Sequence, residues 1–90
     1  MELIKDLKIV NELGLHARAA ARVVELAGQY RSKLSFIKGN NEVDGSSILS
    51  ILTLACPKGS EIQARIVGED AEEFMEKLGK LFQGKFGEIK

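Results

Sequence analysis

The chain has 90 residues, 13 of them basic and 13 acidic, so its formal net charge is zero. Such a length supports one small core, read as a single domain over 1–90, and the balanced charge argues against a module that holds nucleic acid through bulk positive potential. The single cysteine, Cys56, precludes an intrachain disulfide, no apolar run reaches the roughly 18 residues that span a bilayer, and the start lacks the basic, apolar, small-residue order of a secretory leader. A cytoplasmic chain with no membrane insertion is expected.

In chain order, Glu2 to Val10 has mixed alternation through Ile4, Leu7, Ile9 and Val10 and predicts a strand. Asn11-Glu12-Leu13-Gly14 is turn chemistry. From His16 to Gly28, Ala17, Ala20, Ala21, Val24 and Ala27 recur at intervals of three and four, which predicts a helix stopped near Gly28. Lys33 to Lys38 predicts a strand with Leu34 and Phe36 on one face. Gly39-Asn40-Asn41 signals a hairpin, and Glu42-Val43-Asp44 returns as a short strand.

The run Ile48 to Leu54 is compatible with strand or helix. Ser46 and Ser47 before it favour a helix, since both look like caps and Ser46 is the stronger candidate. Pro57-Lys58-Gly59 breaks the chain. Ser60 to Val67 alternates with Ile62, Ala64 and Ile66 on one face, the last strand. Asp70 followed by Glu73 has capping-box spacing. After it, Ala71, Phe74, Met75, Leu78, Leu81 and Phe82 fall at helical intervals. Gly84 to Gly87 reads as a frayed terminal segment, with a return of Phe86 onto the body left open. The order β-α-β-β-α-β-α suits an α+β open-faced sandwich, a four-stranded antiparallel sheet with three helices on one face.

His16 is the only histidine, and it stands where the first turn becomes the first helix. A helix N-terminus offers unpaired N–H groups and partial positive charge, a natural seat for phosphate. An imidazole there, with the Arg18 guanidinium two residues on, could carry a phosphoryl group. The competing reading is a lone capping or surface histidine. One histidine and one cysteine far apart make no metal-ligand set, and no cofactor is expected. Cys56 reads as a small packed residue.

Leu13-Gly14-Leu15-His16-Ala17-Arg18, with the Ala-rich helix behind it, resembles the active-site segment of the HPr family, the histidine phosphocarriers of the bacterial phosphoenolpyruvate-dependent sugar phosphotransferase system. Val43-Asp44-Gly45-Ser46-Ser47-Ile48-Leu49 resembles the segment around the family's regulatory serine, and Pro57-Lys58-Gly59-Ser60-Glu61-Ile62 the turn into its last strand. The resemblance extends over nearly the whole chain and implies the same open-faced β-sandwich. It further implies a relay: enzyme I phosphorylates His16 at Nδ1, and His16 passes the group to enzyme IIA domains, with no independent turnover. By the same resemblance, Arg18 and the backbone N–H groups of Ala17 and Arg18 would hold the phosphate. Ser47 would be the target of an HPr kinase/phosphorylase. Ala21, Arg22, Ile48, Leu49 and Leu52 would form the partner surface of a monomer.

One departure is the residue after the arginine, Ala19 where the family usually has proline. An alternative within the family is a regulatory branch that reports nitrogen or carbon status without sugar transport. A remote alternative is an RNA-binding sheet face, for which Tyr30 and Phe36 are the only aromatics near the inner strands.

Overall fold

A computed structural model describes residues 1–88. Its elements follow the expected order: β1 (Glu2–Lys8), α1 (Ala17–Ala27), β2 (Lys33–Lys38), β3 (Asn41–Asp44), α2 (Ile48–Leu52), β4 (Glu61–Val67), α3 (Ala71–Gln83), then a short 3-10 turn, Lys85–Gly87. The strands form one antiparallel sheet in the order β1-β4-β2-β3. Alternation decides which face is buried. Leu7 stands opposite Ile62, Phe36 opposite Ala64, and Leu34 opposite Ile66. All six are buried, and they form one floor under the helices. β1 ends at Lys8, two residues before the expected end at Val10. Ile9 still donates to Ser60 and accepts from Gly59, at 2.9 and 2.7 Å, so Ile9 closes the sheet beyond the regular ladder.

The other sheet face is mostly polar, with Ile4 and Val67 exposed on it. Arg65 at its centre reaches Glu2 at 2.5 Å and Glu42 at 3.2 Å. Neither aromatic invoked for RNA lies on that face. Phe36 is fully buried on the helix side, and Tyr30 stacks on Phe74 with ring centroids 4.8 Å apart. The stacking platform that the RNA-binding alternative needs is not built from them.

The buried face of α1 is Ala19, Ala20, Val23 and Ala27, not the expected set. Ala17 and Ala21 are exposed and Val24 is half-buried. Both sets have helical spacing. In a stretch this rich in alanine, hydrophobicity marks the face weakly, and Val23 rather than Val24 turns out to point inward. The small side chains let α1 lie close on its neighbours.

α2 is shorter than the run Ile48 to Leu54. Ala55 takes a left-handed φ of 50°, which ends it. The Lys38 amine donates to the carbonyls of Leu54 and Ala55 at 3.1 and 3.0 Å, and a cation there meets the negative end of the helix. Ile51 is fully buried and Leu54 nearly so. The cap is Ser47, not Ser46: Ser47 Oγ accepts from the Ser50 N–H at 3.2 Å. Ser46 instead donates through both its N–H and hydroxyl to Asp44, at 2.8 and 2.6 Å, an Asx-type turn.

The expected capping box on α3 is not formed. Asp70 makes no cap bond, and Glu73 accepts from the Tyr30 hydroxyl at 2.8 Å. The segment expected to fray is docked. Phe86 is 2% exposed and meets Phe82 edge-on, ring centroids 4.8 Å apart. Lys85 and Phe86 both have positive φ, 58° and 56°. Such a conformation costs a non-glycine residue roughly 1–2 kcal/mol, and burial of the Phe86 ring offsets that.

Candidate functional site

Glycine makes the approach to the site. Gly14 has φ +70°, and a Cβ on it would stand 2.5 Å from the Cys56 carbonyl oxygen. Only glycine fits both requirements. The next N–H, that of Leu15, donates to that same carbonyl at 2.8 Å. The loop after α2 is thereby pinned beneath the start of α1. Cys56 itself is buried, and burial pushes its thiol pKa up; this is packing chemistry, as expected.

His16 is the N-cap of α1, with extended backbone (φ −84°, ψ −178°). Its carbonyl accepts from Ala20 at 2.8 Å. Its Nδ1 accepts from the Arg18 N–H at 3.3 Å, so this ring nitrogen lies over the amides of the first turn. The Ala17 N–H has no hydrogen-bond partner among the described residues. Arg18 is exposed and forms no ion pair among them. The first-turn amides therefore begin at a partly exposed imidazole, with an exposed arginine two residues on in the chain, residue types able to hold an anion of phosphate type.

The far side of the ring was not foreseen. His16 Nε2 lies 2.7 Å from Glu88 Oε2, and the same carboxylate oxygen accepts from Asn11 Nδ2 at 2.6 Å. Asn11 Nδ2 also donates to the Gly14 carbonyl at 2.7 Å. Asn11, read as an ordinary turn residue, is fully buried. Burial presses the Glu88 carboxyl upward, but bonds from His16, Asn11 and the Leu13 amide outweigh it and hold Glu88 below its ordinary value. Nothing in the spacing of a terminal Phe-Gly-Glu signals such a return. The one available cue was Phe86, too apolar to be left in water.

The expected partner surface divides. Leu49 is 78% exposed and Ile48 37%, while Leu52 packs partly against the core. Ala21 and Arg22 are exposed on α1. Leu13, beside the site, is also well exposed; it was read as turn and as part of the active-site segment, not as partner surface. Ser47 stands at the end of α2 away from the Cys56 loop, and no hydrogen bond joins it to the His16 group.

The chain is thus a small open-faced α+β sandwich with one histidine set at a helix N-terminus. Residues 4–84 match the family model described as the PTS HPr component phosphorylation site. The chain is 38% identical over 86 residues to the phosphocarrier protein HPr of Cupriavidus necator, covering 96% of this chain and 97% of that one. It is 37% identical over 84 residues to the HPr of Pseudomonas aeruginosa, covering 92% and 93%. The crystal structure of HPr-C-His from Thermoanaerobacter tengcongensis superposes with a TM-score of 0.92 at 34% identity, covering 98% and 99%. The Bacillus subtilis catabolite repression protein Crh, a domain-swapped dimer, superposes at 0.75 with 32% identity, covering 88% and 91%. The chain belongs to the HPr family of phosphotransferase-system phosphocarriers.

Proposed function

We propose that this chain is a phosphate relay that accepts a phosphoryl group on His16 Nδ1 from enzyme I and delivers it to enzyme IIA domains. The observation that carries this reading is the placement of Nδ1, 3.3 Å from the Arg18 N–H at the start of α1. A neutral imidazole is nucleophilic near pH 7. The N–P bond it forms is labile, so onward transfer can be nearly thermoneutral, which a serine ester would not allow. The N–H groups of Ala17 and Arg18 lie ready to donate to phosphate oxygens as the charge arrives. The Arg18 guanidinium supplies planar donors from the solvent side.

Exposed Ile48 and Leu49, with Ala21 and half-buried Leu52, form the apolar part of the docking face. Arg18 and Arg22 give it a basic rim that serves encounter rate with acidic partners. Glu25, on the same helix, tempers that charge. Ser47 is the site of regulatory phosphorylation by an HPr kinase/phosphorylase; a phosphate there adds about 1.5 to 2 negative charges beside that face. The chain works as a monomer without turnover of its own, in a compartment that keeps Cys56 reduced. Sedimentation at working concentration tests the first of these.

Incubation with phosphoenolpyruvate and an active enzyme I, followed by intact-mass analysis, tests the relay. One acid-labile phosphoryl group is expected, absent from His16→Ala. No gain with a verified enzyme I would overturn it.

A further inference from the structure

We propose that Asp44 decides which of two adjacent serines takes the regulatory phosphoryl group: it engages the Ser46 hydroxyl and sets a negative charge against it, so that Ser47 alone is a competent acceptor. This rests on the reading of Ser47 as the target of an HPr kinase/phosphorylase. Exposure by itself would choose the other residue, since Ser46 is exposed and Ser47 half-buried. The two serines differ in their hydrogen bonds.

One carboxylate oxygen binds Ser46 twice. Asp44 Oδ1 accepts from the Ser46 N–H at 2.8 Å and from the Ser46 hydroxyl at 2.6 Å. The acceptor is charged, which makes these bonds the stronger kind. Backbone and side chain of Ser46 are thus fixed together, with the hydroxyl folded back onto Asp44. The same two bonds hold the Asp44 carboxyl below its ordinary value, so it is ionised at neutral pH. A γ-phosphate brought to Ser46 Oγ meets that charge at close range and is repelled. A phosphoserine at 46 would carry about 1.5 to 2 negative charges against the same carboxylate. It would also forfeit the hydroxyl bond, because an ester oxygen has no proton to give.

Ser47 is held in the opposite sense. Its oxygen accepts from the Ser50 N–H at 3.2 Å, and its hydroxyl proton has no acceptor among the described residues. A hydroxyl has one proton and two lone pairs. One lone pair is in use, the second is free to attack, and the proton is free to leave. The step balances as follows. The Ser47 Oγ lone pair forms a bond to the γ-phosphorus of ATP, and the bond from that phosphorus to the bridging oxygen breaks, its electron pair leaving with ADP. The hydroxyl proton passes to a base of the kinase.

The test uses ATP, magnesium and an active HPr kinase/phosphorylase. Wild type, Ser47→Ala, and Ser47→Ala combined with Asp44→Ala or with Asp44→Asn are compared. Peptide mass analysis locates the phosphoserine, and thermal melting reports folding. Wild type is expected to be modified on Ser47, with Ser46 taking less than about a tenth as much, the scale set by one charge-assisted bond. Ser47→Ala is expected to stay at that low level on Ser46. Adding Asp44→Ala is expected to raise phosphorylation of Ser46 by about tenfold or more over Ser47→Ala. Adding Asp44→Asn, whose side-chain oxygen still accepts but carries no charge, is expected to give an intermediate gain. A folded protein with both alanines that takes no more phosphate on Ser46 than Ser47→Ala would overturn the proposal. Should that protein fail to fold, the absence of any gain with Asp44→Asn would overturn it. Phosphate on Ser46 of wild type in preference to Ser47 would overturn it as well. Wild type that takes phosphate on neither serine would strike the Ser47 reading itself, and the proposal with it.

Discussion

Asp70 does not cap its own helix; its carboxylate holds Ser32 across the molecule. It accepts from the Arg31 and Ser32 N–H groups at 2.9 Å each and from the Ser32 hydroxyl. These bonds tie the α1–β2 loop to the start of α3, with the Tyr30 hydroxyl on Glu73 beside them.

The Ser32 hydroxyl and then the Arg31 amide hold the Asp70 carboxyl below its ordinary value. A carboxyl depressed in the folded state stabilises above its unfolded value, 3.8 here, and the contribution is lost as pH falls through the folded one. Asp70→Asn should therefore melt lower than wild type at pH 7, and the gap should narrow as pH drops below about 4. Melts at pH 7 and pH 3 check this. An unchanged gap would assign the loss to geometry rather than charge.

Phe86→Ala should be costly although it falls in a segment expected to fray. The ring is buried and packs on Phe82, and deleting such a ring costs about 3–5 kcal/mol. For a domain of this size that exceeds about 10 °C of melting temperature. The alanine would keep the unfavourable left-handed backbone without the burial that offsets it. Loss of the His16–Glu88 contact should accompany the melt shift, visible in the ring ¹⁵N shifts.

Substitution separates the capping role of Ser47 from the regulatory role proposed for it. As the cap of α2 it accepts from the Ser50 N–H, and Ser47→Ala should cost about 1 kcal/mol. Aspartate caps as well as serine does, so Ser47→Asp should melt close to wild type. It also sets a negative charge beside exposed Ile48 and Leu49, and phosphorylation by enzyme I should slow. Unchanged enzyme I kinetics in that variant would count against a regulatory role for this serine.

The strands were legible because alternation is local. Leu34 and Phe36, and Ile62, Ala64 and Ile66, all face the core as their spacing indicates. His16 at the start of α1 was legible for the same reason, since turn and helix signals meet there. What the sequence could not display are pairings set by the tertiary fold. Asp70 and Glu73 have capping-box spacing, yet Ser32 and Tyr30 compete for them and win. Ser46 and Ser47 are equivalent as letters; Asp44 captures the first and leaves the second to cap. Glu88 lies 72 residues from His16, beyond any window of periodicity.

Ala19→Pro is the last prediction. Ala19 lies in the first turn of α1, and its N–H has no hydrogen-bond partner among the described residues. Proline there forfeits no bond, and its ring meets no helical carbonyl four residues back because that position precedes the helix. It removes freedom from the unfolded chain, worth about 0.4–1 kcal/mol, or roughly 2–6 °C in a domain of this size. The Ala19 side chain is fully buried, so the ring must fit against its neighbours, and its two extra carbons lie back toward the backbone rather than into the core. The N–H groups of Ala17 and Arg18, which are the proposed phosphate donors, are untouched. Phosphoryl uptake on His16 should therefore hold while the melting temperature rises. A large loss of uptake in a stable Ala19→Pro protein would mean that the Ala19 N–H is itself a phosphate donor, and that the anion is seated deeper in the first turn than the Arg18 amide.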